Sequence, residues 1–292
     1  MKILILGTDN FTATALHSIA NGDKRWNIEA VITHSKAHNY KILERVAALY
    51  DIPFYIVDNI NSENSYDLIK KISPDVIFSI HFDRILKSKI FKLAKKCAVN
   101  LHPSLLPKYR GMTPFQSVLK NGEKKTGITI HHITEEVDDG NIISQKIIHL
   151  QEDCHLSDLM MIMIQKYPKI IEETLKKIMD NDYEGTKQHK NKLSYCGKYS
   201  EMDYIINHND SVITAYNKIR AFSKPDNMAR YDEYMIYRSE IVSNENNTDI
   251  IGKVIKDNGL YLYFFDGILF VKNGNYSLYS NNILKDRWGG YS

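Results

Sequence analysis

Three polar residues of the sequence have side chains suited to acid–base and group-transfer chemistry. Asn100 and His102 lie two positions apart, and Asp138 lies in the acidic loop 137–140. Because side chains alternate along a strand, Asn100 and His102 face the same way. Pro103 ends that strand because it cannot donate a ladder hydrogen bond. An amide donor, an imidazole and a carboxylate can together stabilise a negatively charged oxygen and move a proton.

The elements that must position these residues are short apolar runs that alternate with amphipathic runs. Strands are predicted over 2–6, 28–32, 54–57, 76–80 and 98–101, and helices over 11–20, 40–50 and 66–72. This alternation is typical of an α/β fold with a mostly parallel sheet covered on both faces. Ligands of such sheets bind outside the carboxyl ends of the strands. The sequence after the first strand, Gly-Thr-Asp-Asn, is not a G-x-G-x-x-G pattern, so no dinucleotide cofactor is expected.

Further along, a helix is predicted over 115–119, strands over 127–133 and 142–148, and a long helix over 156–179. Residues 181–201 are polar and rich in Lys, Asn and Gly, which predicts a domain boundary. We therefore expect a larger domain over 1–188 and a smaller β-rich C-terminal domain over 204–292.

The predicted C-terminal domain begins with a helix. Asn209 or Asp210 is the expected helix cap, and Pro225 stops the helix after about residue 222. Strands are predicted over 234–242, 250–255, 260–265 and 268–271, separated by turn signals before Gly259, Gly267 and Gly274.

The composition favours a folded protein of the cytoplasm. The 292 residues are 43% hydrophobic and 25% charged, with a formal net charge of +3 that is too small to predict polyanion binding. No apolar run approaches about 18 residues, and the apolar start is too short for a signal peptide. Three cysteines form no disulfide framework, and we expect a reducing compartment. They are Cys97, Cys154 and Cys196.

Longer motifs surround the three polar residues. They are 100–111 (Asn-Leu-His-Pro-Ser-Leu-Leu-Pro-Lys-Tyr-Arg-Gly), 126–131 (Thr-Gly-Ile-Thr-Ile-His), 137–143 (Val-Asp-Asp-Gly-Asn-Ile-Ile) and, less specific, 82–86 (Phe-Asp-Arg-Ile-Leu). With them, residues 1–148 resemble the 10-formyltetrahydrofolate-dependent formyltransferases. The resemblance implies a Rossmann-like formyltransferase domain, with Asn100, His102 and Asp138 as its catalytic residues.

The resemblance also implies how these residues act. Asn100 and a protonated His102 would donate hydrogen bonds to an oxyanion, and Asp138 would keep the imidazole charged and accept the proton of the attacking amine. No metal is needed for this chemistry. His131 and His132 would project to opposite faces of a strand, so they cannot jointly bind one ion.

The cosubstrate implied by the resemblance is 10-formyltetrahydrofolate, with Asp138 among its contacts. Its other expected contacts come from two segments and are Phe82, Arg84, Ile85, Leu86, Ser104, Leu105, Leu106 and Pro107. Asn10, Lys108 and Arg110 are candidate substrate contacts, on position alone.

Three functional classes compete for the chain: a sugar N-formyltransferase, a methionyl-tRNA formyltransferase and a non-catalytic relative. The complete catalytic set disfavours the last, and the glycinamide ribonucleotide enzymes resemble only the first part of the chain. The endings Lys-Tyr-Arg-Gly and Asp-Asp-Gly-Asn-Ile-Ile look most like the sugar enzymes. We expect formylation of a dTDP-linked 4-amino-4,6-dideoxy sugar, with a 3-amino sugar as second choice, for bacterial surface polysaccharide (O-antigen). The resemblance further implies a homodimer that binds neither nucleic acid nor membrane.

The methionyl-tRNA alternative has one motif in its favour. Residues 219–225 (Ile-Arg-Ala-Phe-Ser-Lys-Pro) resemble the start of the second domain of the tRNA enzymes. Those enzymes, however, carry a long basic loop after the second strand. Here the connection 33–39 contains a single lysine or arginine, Lys36, before the helix predicted from Tyr40. The short connection favours the sugar reading.

Overall fold

A computed structural model describes residues 1–37, 40–224, 227–248 and 250–278. The chain divides into two compact units. The first comprises Met1–Pro114, Lys125–Ile148 and Met161–Cys196, and the second comprises Phe115–Lys124, His149–Met160 and the chain from Gly197 onward. Each unit is thus built from several separate segments of the sequence. The domain limits 1–188 and 204–292 stay a prediction. No helix of the described ranges has the length and apolar character needed to span a membrane.

The first unit is built on a seven-stranded sheet. Its strands and two short neighbours are β1 (Lys2–Gly7), β2 (Asn27–His34), β3 (Phe54–Val57), β4 (Val76–Ile80), β5 (Cys97–His102), β6 (Arg110–Gly111), β7 (Lys125–His132), β8 (Ile142–His149) and β9 (Tyr195–Cys196). The sheet order is β3-β2-β1-β4-β5-β7-β8, and β6 pairs with β9 separately. β1 to β5 pair in parallel, and β7 is antiparallel to β5. The predicted mostly parallel α/β sheet is confirmed.

Helices accompany these strands, and one of them was not predicted. They are α1 (Asn10–Asn21), α2 (Tyr40–Leu49), α3 (Glu63–Ile72), α4 (Ser88–Phe91), α5 (Pro114–Lys120), α6 (Leu156–Met179) and a 3-10 turn (Lys190–Lys192). β4 is buried along its whole length, as expected for a parallel strand covered on both faces. Asp9 caps α1 by accepting the backbone N–H groups of Phe11 and Thr12. The unpredicted helix α4 is only one turn long.

The second unit contains two four-stranded sheets and a helix after Gly197, as the predicted β-rich domain requires, and most of α5 and the start of α6 also belong to it. Its elements are a 3-10 turn (Glu201–Tyr204), α7 (Val212–Ala221), β10 (Ser223–Lys224), β11 (Asn227–Tyr231), β12 (Tyr234–Ile236), β13 (Glu240–Ser243), β14 (Gly252–Lys256), β15 (Gly259–Phe264), β16 (Gly267–Lys272) and β17 (Tyr276–Leu278). The predicted cap at Asn209 or Asp210 is wrong, because the Ser211 side chain accepts the Thr214 N–H and caps α7. Pro225 lies outside the described residues.

Candidate active site

β5 carries two of the predicted catalytic side chains to its carboxyl end, and Asp138 meets both of them. The Nδ2 atom of Asn100 lies 3.4 Å from Asp138 Oδ1, and Nδ1 of His102 lies 3.4 Å from Asp138 Oδ2. His102 is buried, and the Asp138 side chain is 12% exposed. The structure therefore brings together the three residues that the sequence motifs group. Contacts of this length can shorten once a substrate is bound.

The turn that carries Asp138 depends on two glycines. Asp138 has a φ of +53°, in the left-handed region, and its Oδ2 atom accepts the Gly111 N–H at 2.8 Å. Gly111 has a φ of +104°, and a Cβ there would lie 2.4 Å from the Cys196 carbonyl oxygen. A Cβ at Gly140 would lie 1.9 Å from the His132 carbonyl oxygen. Only glycine allows these two close approaches.

A second histidine, His131, completes the surroundings of the carboxylate. The register of β5 and β7 pairs His131 with Asn100. The His131 Nε2 atom lies 3.3 Å from Asn100 Nδ2 and 3.4 Å from Asp138 Oδ1, and its Nδ1 contacts the His132 carbonyl oxygen at 2.8 Å. Because a carbonyl can only accept, Nδ1 carries the hydrogen. The Nε2 atom faces both the Asn100 amide and the Asp138 carboxylate, and when it carries no hydrogen it accepts a hydrogen bond from the Asn100 amide and orients it.

Sequence reasoning missed this contribution of His131. The sequence places His131 and His132 on opposite faces of a strand, which excludes joint ligation of one ion and favours one packed and one polar side chain. In the structure the His132 ring contacts the Tyr183 carbonyl oxygen at 2.6 Å, away from the Asn100 amide. The signal that could have revealed His131 is the strand pairing, since a polar residue opposite Asn100 lies at the same site. Within the described residues, no cluster of His, Cys, Asp and Glu could hold a metal ion.

The hydrogen bonds of His102 determine which of its nitrogens can take up a proton. Nε2 contacts the Tyr109 carbonyl oxygen at 2.7 Å, so Nε2 carries a hydrogen and Nδ1 is the free basic atom. Burial lowers the pKa of His102 below its ordinary value, and the Asp138 carboxylate opposes this shift. A protonated His102 is the expectation from the sequence, whereas in the structure burial disfavours the positively charged imidazole.

The carboxyl group of Asp138 is ionised at neutral pH. Burial alone would raise its pKa. The neighbouring His102 and His131 and the Gly111 N–H outweigh burial and hold the pKa of Asp138 well below its ordinary value. A carboxylate thus stands beside the free nitrogen of His102, where it can stabilise an imidazolium formed during the reaction.

Acidification is expected to destabilise the native protein because His102 is held neutral. Burial lowers its pKa, so below about pH 6.5 the unfolded chain takes up a proton that the native state does not. The stability contributed by this group is therefore present above about pH 6.5 and lost as the pH falls, by at most about 1.4 kcal/mol per pH unit. Burial lowers the pKa of His155 in the second unit too, which adds in the same direction. Urea unfolding at several pH values measures the slope.

Two variants make this test specific. His102→Gln should flatten the pH dependence of the unfolding free energy between about pH 6.5 and pH 5. His149→Gln, at an exposed position, should keep the wild-type slope. Equal slopes for the wild type and His102→Gln would show that His102 is not held neutral in the native state.

The predicted folate signature, Ser104 to Pro107, is a tightly held turn after β5. Ser104 is fully buried, and its hydroxyl donates to the Lys108 carbonyl at 2.6 Å. Thr129 Oγ1 donates to the Ser104 carbonyl at 2.7 Å and accepts the Leu106 N–H at 3.3 Å. Leu105 packs against Gly127, because a Cβ at Gly127 would lie only 2.3 Å from Leu105 Cδ2. The Ser104 hydroxyl thus shapes the turn, and a cofactor contact of these residues stays a prediction.

The other predicted folate segment has both a buried side and an exposed side. Phe82 and Leu86 belong to a buried apolar cluster of the first unit. Arg84 is exposed, and Ile85 is 69% exposed although it is large and apolar. Val137, beside Asp138, is 44% exposed. Large apolar side chains left open on two loops suit the flat face of a heteroaromatic ring system such as a pterin.

The three candidate substrate contacts differ in accessibility. Asn10, in the first turn of α1, and Lys108 are exposed, as a substrate contact requires. Arg110 is 2% exposed, and its Nη2 lies 2.6 Å from both Gln188 Oε1 and Asp139 Oδ1. The guanidinium faces the protein interior, so contact with a bound substrate would require it to leave these partners. The substrate contacts of all three residues stay predictions.

Comparison with known proteins identifies the class to which this fold and site belong. Residues 1–175 match the formyl transferase family model, so the chain belongs to the formyl transferase family. It is 33% identical over 229 residues to the methionyl-tRNA formyltransferase of Kosmotoga olearia, a match that covers 76% of this chain and 73% of that protein. It is 35% identical over 205 residues to the bifunctional polymyxin resistance protein ArnA of Wigglesworthia glossinidia brevipalpis, which covers 68% of this chain and 31% of ArnA.

Two solved structures are similar along nearly the whole chain. One is an N-formyltransferase from Helicobacter canadensis in complex with folinic acid and dTDP-3-aminofucose; it has a TM-score of 0.71 and 26% identity and covers 93% of this chain and 99% of that one. The other is WlaRD, a sugar 3N-formyl transferase, in the presence of dTDP and 5-N-formyl-THF. It has a TM-score of 0.72 and 23% identity, covers 94% of this chain and 98% of that one, and shows the shared fold.

Proposed function

We propose that the protein transfers a formyl group from 10-formyltetrahydrofolate to the amino group of a dTDP-linked amino-dideoxy sugar. The observation that carries the proposal is the likeness, over 93% of the chain, to the Helicobacter canadensis enzyme in complex with folinic acid and dTDP-3-aminofucose. That likeness includes the second unit of the chain. Use in surface polysaccharide synthesis and a homodimeric state stay predictions from the resemblance.

The residues present fit the proposed cosubstrate. A bound 10-formyltetrahydrofolate would supply the formyl group. The segment with buried Phe82 and Leu86 and exposed Ile85, together with Val137, would pack against the flat face of its heteroaromatic ring system. The polar groups beside Asp138 would lie at the reacting end.

The chemistry of the site follows from its hydrogen bonds. The Asn100 amide, oriented by His131, donates to an oxygen that gains negative charge in the transition state. His102 has Nε2 fixed on the Tyr109 carbonyl, so Nδ1 takes up the proton that the attacking amine loses as the new carbon–nitrogen bond forms, and it returns a proton to the folate nitrogen as the old carbon–nitrogen bond breaks. Asp138 then stabilises the charged imidazole through the contact between Nδ1 and Oδ2. Each of the three residues thus has one role in the reaction, and neighbouring groups hold its side chain in the orientation that this role needs.

The position of the amino group on the sugar is the most specific part of the proposal. The sequence motifs favour a 4-amino sugar with a 3-amino sugar second. The complex of the Helicobacter canadensis enzyme contains a 3-amino sugar, and the similarity of that enzyme covers 93% of this chain rather than short motifs. We therefore propose the dTDP-linked 3-amino sugar as the first substrate to test and the 4-amino sugar as its direct competitor.

A second candidate function is methionyl-tRNA formylation. It is supported by relatives of that name that are 33% and 32% identical and match about three quarters of this chain. Against it, β2 ends at His34 and α2 begins at Tyr40, which leaves a five-residue connection. Lys36 is its only lysine or arginine, and His38 and Asn39 lie outside the described residues. So short a connection cannot supply the long basic loop expected of the tRNA enzymes.

A formylation assay against a panel of acceptors tests the proposal. The panel contains 3-amino and 4-amino dideoxyhexoses linked to dTDP, their UDP and GDP counterparts, and methionyl-tRNA, each with 10-formyltetrahydrofolate. We expect product on a dTDP sugar, and we expect EDTA to leave the rate unchanged. Product on methionyl-tRNA alone would replace the proposal by the second candidate. Product on none of the acceptors would overturn both.

A further inference from the structure

The polar segment 183–196 runs against the active-site loops of the first unit. It lies within the predicted domain boundary 181–201. We call it the strap. At its start, the Tyr183 carbonyl contacts His132 Nε2 at 2.6 Å. Thr186 then forms a two-way backbone bridge with Ile142, each N–H donating to the other carbonyl at 2.8 Å. These contacts attach the strap to β7 and to the beginning of β8, the two strands that flank Asp138.

The far end of the strap is attached to the segment after the folate signature. The Arg110 N–H donates to the Ser194 carbonyl at 2.9 Å, and the Met112 N–H donates to the Cys196 carbonyl at 2.9 Å. These bonds build the parallel pair of β6 and β9. The strap therefore joins the loop that carries Asp138 to the segment whose Gly111 N–H binds the Asp138 carboxylate.

Gln188 lies between these two ends and contacts the Asp138 turn directly. It is buried, and its Nε2 donates to the carbonyls of Asp138 and Gly140 at 2.8 Å each. Its Oε1 accepts from Arg110 Nε at 3.2 Å and from Nη2 at 2.6 Å. Arg110 also forms an ion pair with Asp139. One amide group therefore holds the carbonyls on both sides of Asp139 and, through Arg110, its side chain.

This arrangement bears on catalysis because the backbone of Asp138 decides where its carboxylate points. The residue has a φ of +53°, a conformation that side-chain-bearing residues seldom adopt without support. Two of the supporting bonds come from Gln188. A small displacement of this turn would change the 3.4 Å contacts with Asn100 and His102. Misplacing a catalytic group by about 1 Å can cost about a hundredfold in rate.

We propose that Gln188 is a positioning residue that holds Asp138 in line with Asn100 and His102 for formyl transfer. The inference rests on the proposed role of Asp138. It gives the strap a function beyond joining two parts of the chain, and it gives buried Arg110 a task as the partner of Gln188.

The test compares substitutions at Gln188 and at its neighbour. Gln188→Glu removes both donated hydrogen bonds but keeps an acceptor for Arg110, which would hold the new carboxylate ionised. Gln188→Met removes all four bonds with a neutral side chain of similar length. Lys187→Gln is the control, because Lys187 is an exposed residue of the same strap. Rates are measured with the acceptor that the panel identifies and are divided by the number of 5-formyltetrahydrofolate binding sites.

We expect Gln188→Glu and Gln188→Met to lower kcat per binding site by about ten- to a hundredfold, with the KM for the folate within about twofold. Lys187→Gln should match the wild type. In Gln188→Met, which adds no charge, the pKa seen in the pH profile of kcat should also fall, because a displaced Asp138 no longer supports a charged His102. The other groups that act on His102 are His131, His81 and the Tyr109 carbonyl, and the substitutions leave all three in place.

The outcomes separate this inference from the proposed function. Wild-type kcat and pH profile in both Gln188 variants, with Asp138→Ala inactive, would overturn the positioning role alone. Full activity of Asp138→Ala would overturn the proposed mechanism itself. If both Gln188 variants lack folate binding sites, Gln188 serves folding and the inference is wrong.

Discussion

Replacing Asp138 by alanine is expected to lower the rate of formyl transfer by about a thousandfold or more. The carboxylate lies against His102 Nδ1, Asn100 Nδ2 and His131 Nε2, so its loss removes charge stabilisation and disorders three neighbouring groups. Alanine at His102 removes the proton acceptor and should be comparably severe. Alanine at Asn100 removes one hydrogen-bond donor, which corresponds to a loss of about a hundredfold or more.

The asparagine variant of Asp138 separates charge from shape. Asp138→Asn keeps an oxygen that can accept the Gly111 N–H, so the turn should stay in place. We nevertheless expect it to be nearly as inactive as Asp138→Ala, because a neutral amide cannot stabilise an imidazolium. Near-wild-type activity of Asp138→Asn would show that the residue only shapes the turn.

Single-turnover rates with saturating 10-formyltetrahydrofolate provide the measurement. Binding of 5-formyltetrahydrofolate should still raise the melting temperature of each variant, because a ligand bound only by the native state stabilises it. His149→Ala, at an exposed position, is the control and should react like the wild type. Rates within tenfold of the wild type for all three alanine variants would contradict the assignment of the site.

What could be predicted from the sequence depends on how local the determining contacts are. The parallel sheet was predictable because a local apolar run in the sequence indicates each of its parallel strands. Asn100 and His102 were predictable as a pair because strand alternation alone puts them on one face. His131 was missed because its role arises from the antiparallel register of β5 and β7, which no local pattern reports.

Other features depend on distant contacts in the same way. Arg110 is a predicted substrate contact, and the sequence could not show that its partners in the structure come from positions 139, 188 and 195, all distant along the chain. Gln188 lies in a polar stretch that is typical of a linker, and its bonds to the Asp138 turn appear only when the strap is folded against it. The cap of α7 was misplaced by one or two residues because Asn209, Asp210 and Ser211 are all good caps. Adjacent residues of equal propensity leave such a choice to tertiary structure.

The salt dependence of the reaction is expected to separate the two candidate acceptors. A protein that neutralises several nucleic-acid phosphates releases counterions, so its affinity falls with a log–log slope of about −0.7 to −0.9 per contact. A six-contact tRNA complex would lose about a thousandfold between about 50 and 200 mM salt. A sugar nucleotide carries only a diphosphate, so its KM should rise only a few-fold over the same range. The short 35–39 connection with Lys36 as its single lysine or arginine, and the net charge of +3, both favour the shallow dependence.

The measurement compares KM for the dTDP-linked amino sugar, and for methionyl-tRNA, at matched salt concentrations. We expect product on the sugar with a shallow slope and no detectable product on the tRNA. Replacing Lys36 by glutamine provides the control. If the chain bound an acceptor stem, losing the only lysine or arginine of that connection would reduce the salt slope by roughly one contact. A sugar nucleotide that this residue does not touch would be unaffected. Efficient formylation of methionyl-tRNA with a steep slope that Lys36→Gln reduces would show that the acceptor is RNA, while the roles of Asn100, His102 and Asp138 would stand, because they depend on the formyl group and not on the acceptor.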